Sequence, residues 1–256
     1  MAMTFSFHEQ LDFADTKTYS NTFRSLPDNS FISDEKIHLF SEKMCVPQIK
    51  THLSLPRLTK LLEKSCQQFG ATLIAGRAET GKTVLATDFA KNYSRLAWYQ
   101  IESAETDWNL FSRYFVGMFG EEYEEFKETK KEVIVFVEHL LTKISKKSKE
   151  PLLIVLDDVH NVFDAEWFAE FFVSLLYTIS PEIHVLMLSR MKPPQPLWRL
   201  RSKQVLGVID EKLLALTIEE TIDLFAKNGI SEDLAVSAHT ESFGRISRLI
   251  NFIESN

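Results

Sequence analysis

The chain has 256 residues, of which 45% are hydrophobic and 25% charged, an ordinary globular composition that excludes a wholly disordered chain, a coiled coil and a collagen-like repeat. With 36 acidic against 29 basic side chains, the formal net charge is −7. This charge argues against nucleic acid as the main ligand, because DNA binding depends on the neutralisation of phosphates by lysine and arginine.

The two cysteines and the apolar stretches indicate the cellular compartment. Cys45 and Cys66 lack the spacing of a metal site and are predicted to be free thiols in a reducing environment. The N-terminus has no basic segment followed by an apolar run, so we expect no signal peptide. Residues 152–156 and 168–179 are too short or too interrupted to span a bilayer. We therefore expect a cytoplasmic protein without membrane association.

The predicted elements begin after a polar N-terminal segment. Residues 1–45 are rich in Ser, Thr, Asp and Asn with scattered phenylalanines, and are predicted to form a loosely structured arm. From Pro56 onward, helical periodicity alternates with short apolar runs that predict strands. The predicted strands are residues 71–75, 96–101, 152–156, 183–188 and 205–209. The predicted helices between them include residues 82–93. Another predicted helix contains the apolar residues between Trp167 and Leu176, and Asp164 is expected to cap it.

This alternation predicts the fold class. Continuously apolar strands that alternate with helices are typical of a mainly parallel sheet covered on both faces. We expect an α/β fold with a five-stranded sheet over residues 46–215. Beyond it, Thr217 and Glu220 have the spacing of a capping box, and the helix that they open is expected to end at Gly229. With two more short helices, residues 216–256 are predicted to form a small helical subdomain, or lid.

A phosphate-binding pattern lies between the first strand and the next helix. The pattern G-x-x-x-x-G-K-[ST] is matched by Gly76, Arg77, Ala78, Glu79, Thr80, Gly81, Lys82 and Thr83, and Val84 follows it. In such a loop, backbone N–H groups and the helix N-terminus face the phosphates. We expect Lys82 to bridge the β- and γ-phosphates and the Thr83 hydroxyl to bind Mg²⁺. The sequence thus predicts a P-loop NTPase with ATP/ADP and Mg²⁺ as cofactors; the alternative is a chance strand–turn–helix junction.

The third and fourth strands end in residues that complete such a site. Asp157 and Asp158 follow the third strand in the Walker B arrangement. Asp157 is predicted to hold Mg²⁺, and Asp158 to orient or deprotonate the attacking water, or merely to cap the next turn. Arg190 follows the fourth strand at the same edge, where it could sense the γ-phosphate or simply pair with a surface carboxylate. The predicted catalytic residues are Asp158, Lys82 and Arg190.

Five weaker candidates have a structural alternative that we prefer. His160 could contact the two carboxylates, but a structural role is expected. Trp98 and Tyr99 could stack on a base, but within a strand we expect them in the core. Arg199 and Arg201 could bind phosphate or a partner, but a solvated connector is expected.

Several motifs in fixed order resemble the STAND-class signalling ATPases, specifically the MalT-like (large LuxR-type) regulators. The motifs are Leu55-Pro-Arg-Leu58, the phosphate-binding loop, Leu96-Ala-Trp-Tyr99, Val155-Leu-Asp-Asp-Val-His160, Leu188-Ser-Arg190, Trp198-Arg-Leu-Arg201 and Leu216-Thr-Ile-Glu-Glu220. The resemblance implies a regulatory ATPase that rests with ADP, switches on with ATP and an inducer, and then self-associates. It also implies roles for Asp157, Asp158 and Arg190 toward Mg²⁺, water and the γ-phosphate, and places Arg57 near the nucleotide.

The chain departs from the family pattern in three places. The loop has Arg77-Ala-Glu-Thr80 where relatives tend to have proline, alanine and an aromatic residue or glycine, and Glu79 is unfavourable beside phosphates unless it points outward. Residues 243–249 match only weakly the helix that follows the ATPase core in relatives. No counterpart of the sensor repeats or the DNA-binding helix-turn-helix occurs up to Asn256, so we expect no direct nucleic-acid binding from this chain.

Three functions follow from these observations. The first is a nucleotide-dependent signalling switch with slow Mg²⁺-dependent ATP hydrolysis, acting through a protein partner or through self-association. The second is a catalytically degenerate nucleotide-binding scaffold, suggested by the atypical loop. The third is a small-molecule kinase, although the tail offers only Arg245 and Arg248 rather than an arginine-rich lid.

Overall fold

Five parallel strands form the centre of the computed structural model, which describes residues 41–48, 55–120, 123, 126 and 132–255. The predicted arm therefore lies outside the described residues except at its end. The strands are β1 (Ala71–Ala75), β2 (Arg95–Gln100), β3 (Leu152–Asp157), β4 (Ile183–Ser189) and β5 (Leu206–Asp210), in the spatial order β2-β3-β4-β1-β5. All pairings are parallel, which confirms the predicted sheet.

Ten α-helices are found among the described residues. They are α1 (Pro56–Gln68), α2 (Lys82–Ala90), α3 (Trp108–Gly117), α4 (Val133–Lys147), α5 (Phe168–Thr178), α6 (Gln195–Ser202), α7 (Glu211–Leu214), α8 (Ile218–Lys227), α9 (Glu232–Ser242) and α10 (Ile246–Glu254). Within the described ranges, no helix combines the length and apolarity required to cross a membrane.

The side chains of the strands pack into two separate hydrophobic cores, one on each face of the sheet, because successive side chains of a strand point to opposite faces. On β1, Leu73 packs in the cluster that contains the buried residues of α3, α4, α5 and α6. Its neighbour Ile74 packs in a second cluster with α1 and α2. The second cluster also contains Leu224, Ala235 and Leu249, from α8, α9 and α10. The C-terminal helices thus share a core with the sheet and the two helices that flank the phosphate-binding loop.

Two local predictions were wrong. Asp164 is not the cap of α5, which begins at Phe168 after a backbone turn in which the Phe168 N–H donates to the Ala165 carbonyl. Arg199 and Arg201 lie on helix α6 rather than in a connector. That helix forms because Leu197 and Leu200, three residues apart, are both buried, while the two arginines remain exposed as expected.

The capping box at the start of α8 is confirmed. The Thr217 hydroxyl accepts a hydrogen bond from the Glu220 N–H (3.2 Å), and the Glu220 carboxylate accepts one from the Thr217 N–H (2.9 Å). The helix is followed by Gly229, whose φ is 75°. Before it, β5 ends and α7 begins at the same edge of the sheet where β1, β3 and β4 end, since all five strands are parallel. This edge contains the candidate site.

Candidate functional site

The loop between β1 and α2 turns at two residues with left-handed backbone. Gly81 has a φ of 89°, which glycine adopts freely, whereas Glu79 has a φ of 64°, which is uncommon for a residue with a side chain. The loop is fixed at its start by a hydrogen bond from the Gly76 N–H to the Ser189 carbonyl of β4 (3.0 Å). It therefore turns over the carboxyl end of β1 and places Lys82 as the first residue of α2.

The Lys82 ammonium is held by the loop itself. Its Nζ donates to the carbonyl oxygens of Gly76 (2.6 Å) and Arg77 (2.8 Å) and lies 3.4 Å from the Thr80 hydroxyl. Burial lowers the pKa of Lys82, against the opposing effect of the nearby Asp157 and Asp158 charges. Lys82 thus places a buried cation inside the loop at the start of α2, and a cation and a helix N-terminus both favour an anionic ligand.

The remaining loop residues differ in exposure. Arg77, Ala78 and Glu79 are exposed at the tip, whereas Thr80 is buried and its hydroxyl donates to the Arg77 carbonyl (2.9 Å). Val84, one residue after the signature, is half-buried against the core shared by α1 and α2. Of the predicted nucleotide-binding segment, only the tip thus projects into solvent.

Thr83 and Asp157 meet although they are far apart in the sequence. The Thr83 hydroxyl donates to Asp157 Oδ2 over 3.0 Å, and the Asp158 N–H donates to Asp157 Oδ1 over 2.9 Å. Burial, and then the Asp158 charge, raise the pKa of Asp157 to about 6, although both hydrogen bonds and Lys82 oppose this rise. A hydroxyl beside a carboxylate is an oxygen donor set of the kind that Mg²⁺ binds together with phosphate oxygens.

Asp158, which follows β3, pairs with Arg190, which follows the adjacent strand β4. Arg190 Nε lies 3.1 Å from Asp158 Oδ1, and Nη2 lies 3.3 Å from Oδ2. Asp158 has left-handed backbone (φ 56°), and its side chain does not cap the turn formed by Val159–Val162, so that alternative is wrong. The predicted pairing of Arg190 with a carboxylate is present, and the carboxylate is the second aspartate of the site. His160 Nδ1 lies 3.8 Å from Asp158 Oδ1.

Glu211, at the start of α7, contacts the beginning of the loop. Its carboxylate accepts hydrogen bonds from the Arg77 N–H (2.9 Å) and from Arg77 Nη2 (2.6 Å). These bonds lower the pKa of Glu211 to about 2. A side chain at Gly76 would place its Cβ 2.8 Å from the Glu211 Cβ, so glycine permits this close approach.

Helix α10 contacts the other end of the loop. Arg248 Nε lies 2.8 Å from Glu79 Oε2, with about half of each side chain exposed. A Cβ added to Gly81 would lie 2.4 Å from the Cβ of Ile246, the buried first residue of α10. The charge of Glu79 is therefore neutralised by Arg248, a partner that the sequence does not predict.

Arg57 makes its contacts with the segment that leads into α8. It forms an ion pair with Glu220 (2.7 Å) and donates to the carbonyls of Leu213 (2.8 Å) and Ala215 (2.8 Å). These bonds connect α1 to the α7–α8 connection. A role of Arg57 toward nucleotide remains a prediction.

Two features of the site were not predicted from the sequence: Glu211, and the pairing of Arg248 with Glu79. Glu211 could have been found, because it follows β5 at the same edge as the other site residues. Nothing in the sequence pairs Arg248 with Glu79, 169 positions earlier. Trp98 and Tyr99 are buried core residues, as expected. Both cysteines are free, and no group of three or more His, Cys, Asp or Glu side chains suited to a metal ion occurs in the described part of the chain.

Known sequences similar to this chain include a family model and two curated proteins. Residues 66–187 match the family model described as an AAA domain. The HTH-type transcriptional regulator MalT of Vibrio parahaemolyticus is 25% identical over 196 residues, which cover 72% of this chain and 22% of the relative. The MalT of Vibrio campbellii is 24% identical over the same shares. The chain thus spans about a fifth of the length of these relatives.

Two solved structures share the fold. A Signal Transduction ATPase with Numerous Domains (STAND) from Pyrococcus horikoshii, which has a tetratricopeptide repeat sensor, is 20% identical with a TM-score of 0.58, over 82% of this chain and 30% of that one. A Walker-type ATPase of Pyrococcus abyssi is 12% identical with a TM-score of 0.51, over 77% of this chain and 65% of that one. The predicted P-loop NTPase fold and the predicted resemblance are therefore confirmed: this chain has a P-loop NTPase fold, its residues 66–187 match the AAA domain model, and it is similar to the MalT-like STAND proteins.

Proposed function

We propose that this chain is a nucleotide-dependent switch that binds ATP and ADP with Mg²⁺ and hydrolyses ATP slowly. The observation that carries the proposal is the meeting of Lys82, the Thr83–Asp157 pair and the Asp158–Arg190 pair at one edge of the sheet. Ligands of parallel α/β sheets bind outside the carboxyl ends of the strands, which is this edge.

Each residue has one proposed task. Lys82 and the loop N–H groups, from Gly76 to Val84, bind the phosphates. Thr83 and Asp157 hold Mg²⁺, which neutralises the phosphate charge that develops in phosphoryl transfer. Asp158 orients or deprotonates the attacking water, and Arg190 stabilises the γ-phosphate.

The Asp158–Arg190 pair accounts for slow hydrolysis in this proposal. Both carboxylate oxygens of Asp158 accept hydrogen bonds from the Arg190 guanidinium. Nε and Nη2 of Arg190 must leave Asp158 before they can bind the γ-phosphate, and an Asp158 carboxylate that they have left offers all of its lone pairs to water. One opening of the pair thus serves both tasks, and in this proposal that opening limits the rate.

The proposed output is a conformational change read by a protein partner or by a second copy of the chain. This part of the proposal rests on the similarity to STAND proteins. We also propose a cytoplasmic location, without membrane or direct nucleic-acid binding. The predicted organisation, with an arm at 1–45, an ATPase core at 46–215 and a helical lid at 216–256, belongs to the same proposal.

A nucleotide-binding scaffold without turnover is the second candidate. It is favoured by the same ion pair, because Arg190 binds both oxygens of the only residue proposed to act on water. A small-molecule kinase is disfavoured, because Arg248, one of the two tail arginines, is bound to Glu79.

The proposal is tested by identifying what the purified protein carries and what it releases. The protein is denatured, the supernatant is chromatographed for nucleotides, and phosphate release is then followed with ATP and Mg²⁺. Bound ADP with slow release supports the switch, and bound nucleotide without release supports the scaffold. Rapid turnover only after addition of a small acceptor supports the kinase.

A further inference from the structure

The loop residue Glu79 is strained and charged, and both features are unusual at this position. Its φ of 64° is unfavourable for a residue with a Cβ, so the conformation must be held by its surroundings. Its carboxylate lies on the loop that holds Lys82 and leads into α2, where a further negative charge opposes the binding of phosphate. The surroundings must therefore supply both a restraint and a countercharge.

Arg248 supplies both. Its Nε lies 2.8 Å from Glu79 Oε2, and it reaches the loop from α10, the last helix of the chain's described part. Ile246, one half-turn earlier, lies so close to Gly81 that only glycine fits there. The two left-handed positions of the loop, Glu79 and Gly81, thus both contact one helix.

Helix α10 packs against the other C-terminal helices. Its residues Leu249 and Ile250 are buried, and the Phe252 ring lies 5.8 Å from the Phe225 ring of α8. The turn before α10 is tied to the α7–α8 connection by a hydrogen bond from the Leu216 N–H to the Gly244 carbonyl (2.9 Å). The helix that contacts the loop is thus packed into one cluster with α8 and α9.

We propose that Arg248 is a positioning residue for the phosphate-binding loop, acting through Glu79, and that this contact couples the shape of the loop to the docking of the C-terminal helices. The first half of the proposal does not depend on nucleotide. The second half, that nucleotide in the loop changes the protection of α10, rests on the proposed function.

The first test uses hydrogen exchange of the full chain without nucleotide. Arg248→Glu is expected to speed exchange of the loop amides, residues 76–83, about two- to fivefold, the range that a half-exposed ion pair supplies. Arg248→Lys should stay close to the unaltered protein. Arg199→Glu, which makes the same charge change on the exposed face of α6, is the matched control and should leave the loop unchanged.

The reversed pair separates a direct contact from a general charge effect. Glu79→Arg alone should also speed loop exchange, and the double variant Glu79→Arg with Arg248→Glu should return it to the original rate. Two results would overturn the positioning role. One is that the effects of the two single variants simply add in the double variant. The other is that Arg248→Glu exchanges its loop amides no faster than Arg199→Glu.

The second test adds ATP or ADP with Mg²⁺. Nucleotide is expected to slow exchange in α10 about threefold or more in the unaltered protein and to have less effect in Arg248→Glu, with the difference shrinking at high salt. Nucleotide that binds without changing α10 exchange would overturn the coupling. If no nucleotide binds, the proposed function fails, while the first test still decides the positioning role.

Discussion

Asp158 and Arg190 bind each other at two points, Nε to Oδ1 at 3.1 Å and Nη2 to Oδ2 at 3.3 Å. Arg190 follows β4, the strand between β3 and β1, so the pair lies between the end of the Walker B strand and the phosphate-binding loop. While both bonds persist, Nε and Nη2 of Arg190 are directed at Asp158 and not at a phosphate. Opening of the pair is therefore the step that the proposed mechanism requires before these two donors can bind the γ-phosphate.

Replacement of Asp158 by asparagine should stop hydrolysis and preserve binding. Asparagine tolerates the left-handed backbone at this position (φ 56°) but cannot accept a proton from water. We expect single-turnover phosphate release to fall about 100-fold or more, with ATP affinity little changed. Unchanged turnover would remove Asp158 from the mechanism.

Replacement of Arg190 by alanine should weaken the binding of ATP more than the binding of ADP. A hydrogen bond between charged groups contributes about 1.5–3 kcal/mol, so we expect a loss of about tenfold or more in ATP affinity. Calorimetry with both nucleotides measures the difference, and Arg199→Ala on α6 is the control. Equal losses for the two nucleotides would argue against contact with the γ-phosphate.

Asp157→Asn should stabilise the protein at neutral pH. Burial raises the pKa of Asp157 from 3.8 to about 6, so the folded state binds this proton more tightly than the unfolded state. The ionised carboxylate therefore destabilises the fold progressively as the pH rises from about 4 to about 6, by up to about 3 kcal/mol. Urea unfolding should show the variant to be more stable at pH 7 and equal at pH 4. If the variant and the unaltered protein are equally stable at pH 7, burial of the ionised Asp157 carboxylate has no cost. The same variant should also lose the Mg²⁺ dependence of nucleotide binding.

His184→Gln should remove a loss of stability at acid pH. His184 is buried, its Nε2 lies 3.1 Å from the Thr72 hydroxyl, and burial lowers its pKa from 6.5 to about 4. Below pH 6.5 the unfolded chain binds a proton at His184, whereas the folded protein does not bind it until the pH approaches 4. The free energy of unfolding therefore decreases as the pH falls from about 6.5 to about 4. Relative to the variant, the unaltered protein should lose about 2 kcal/mol between pH 7 and pH 5. Parallel stability curves for the two proteins would contradict this.

The strands and the position of the site were predictable from the sequence, and the contacts within the site were not. Residues 71–75 are apolar throughout because both faces of β1 are buried, and the signature that follows fixes the loop. Asp157 and Arg190 could be placed at the same edge because parallel strands end together. The Arg190–Asp158 and Arg248–Glu79 pairs could not be predicted, since each depends on side-chain reach between residues 32 and 169 positions apart.

The most direct test of the account is calorimetric titration of ATP and ADP, each with Mg²⁺, into the protein and two lysine variants. Lys82→Ala removes the ammonium that Gly76 and Arg77 hold over the loop, and Lys227→Ala removes an exposed lysine from α8 as the control. We predict measurable binding to the unaltered protein and to Lys227→Ala, and none to Lys82→Ala. Absence of binding to the unaltered protein, or equal affinity for all three, would contradict the account.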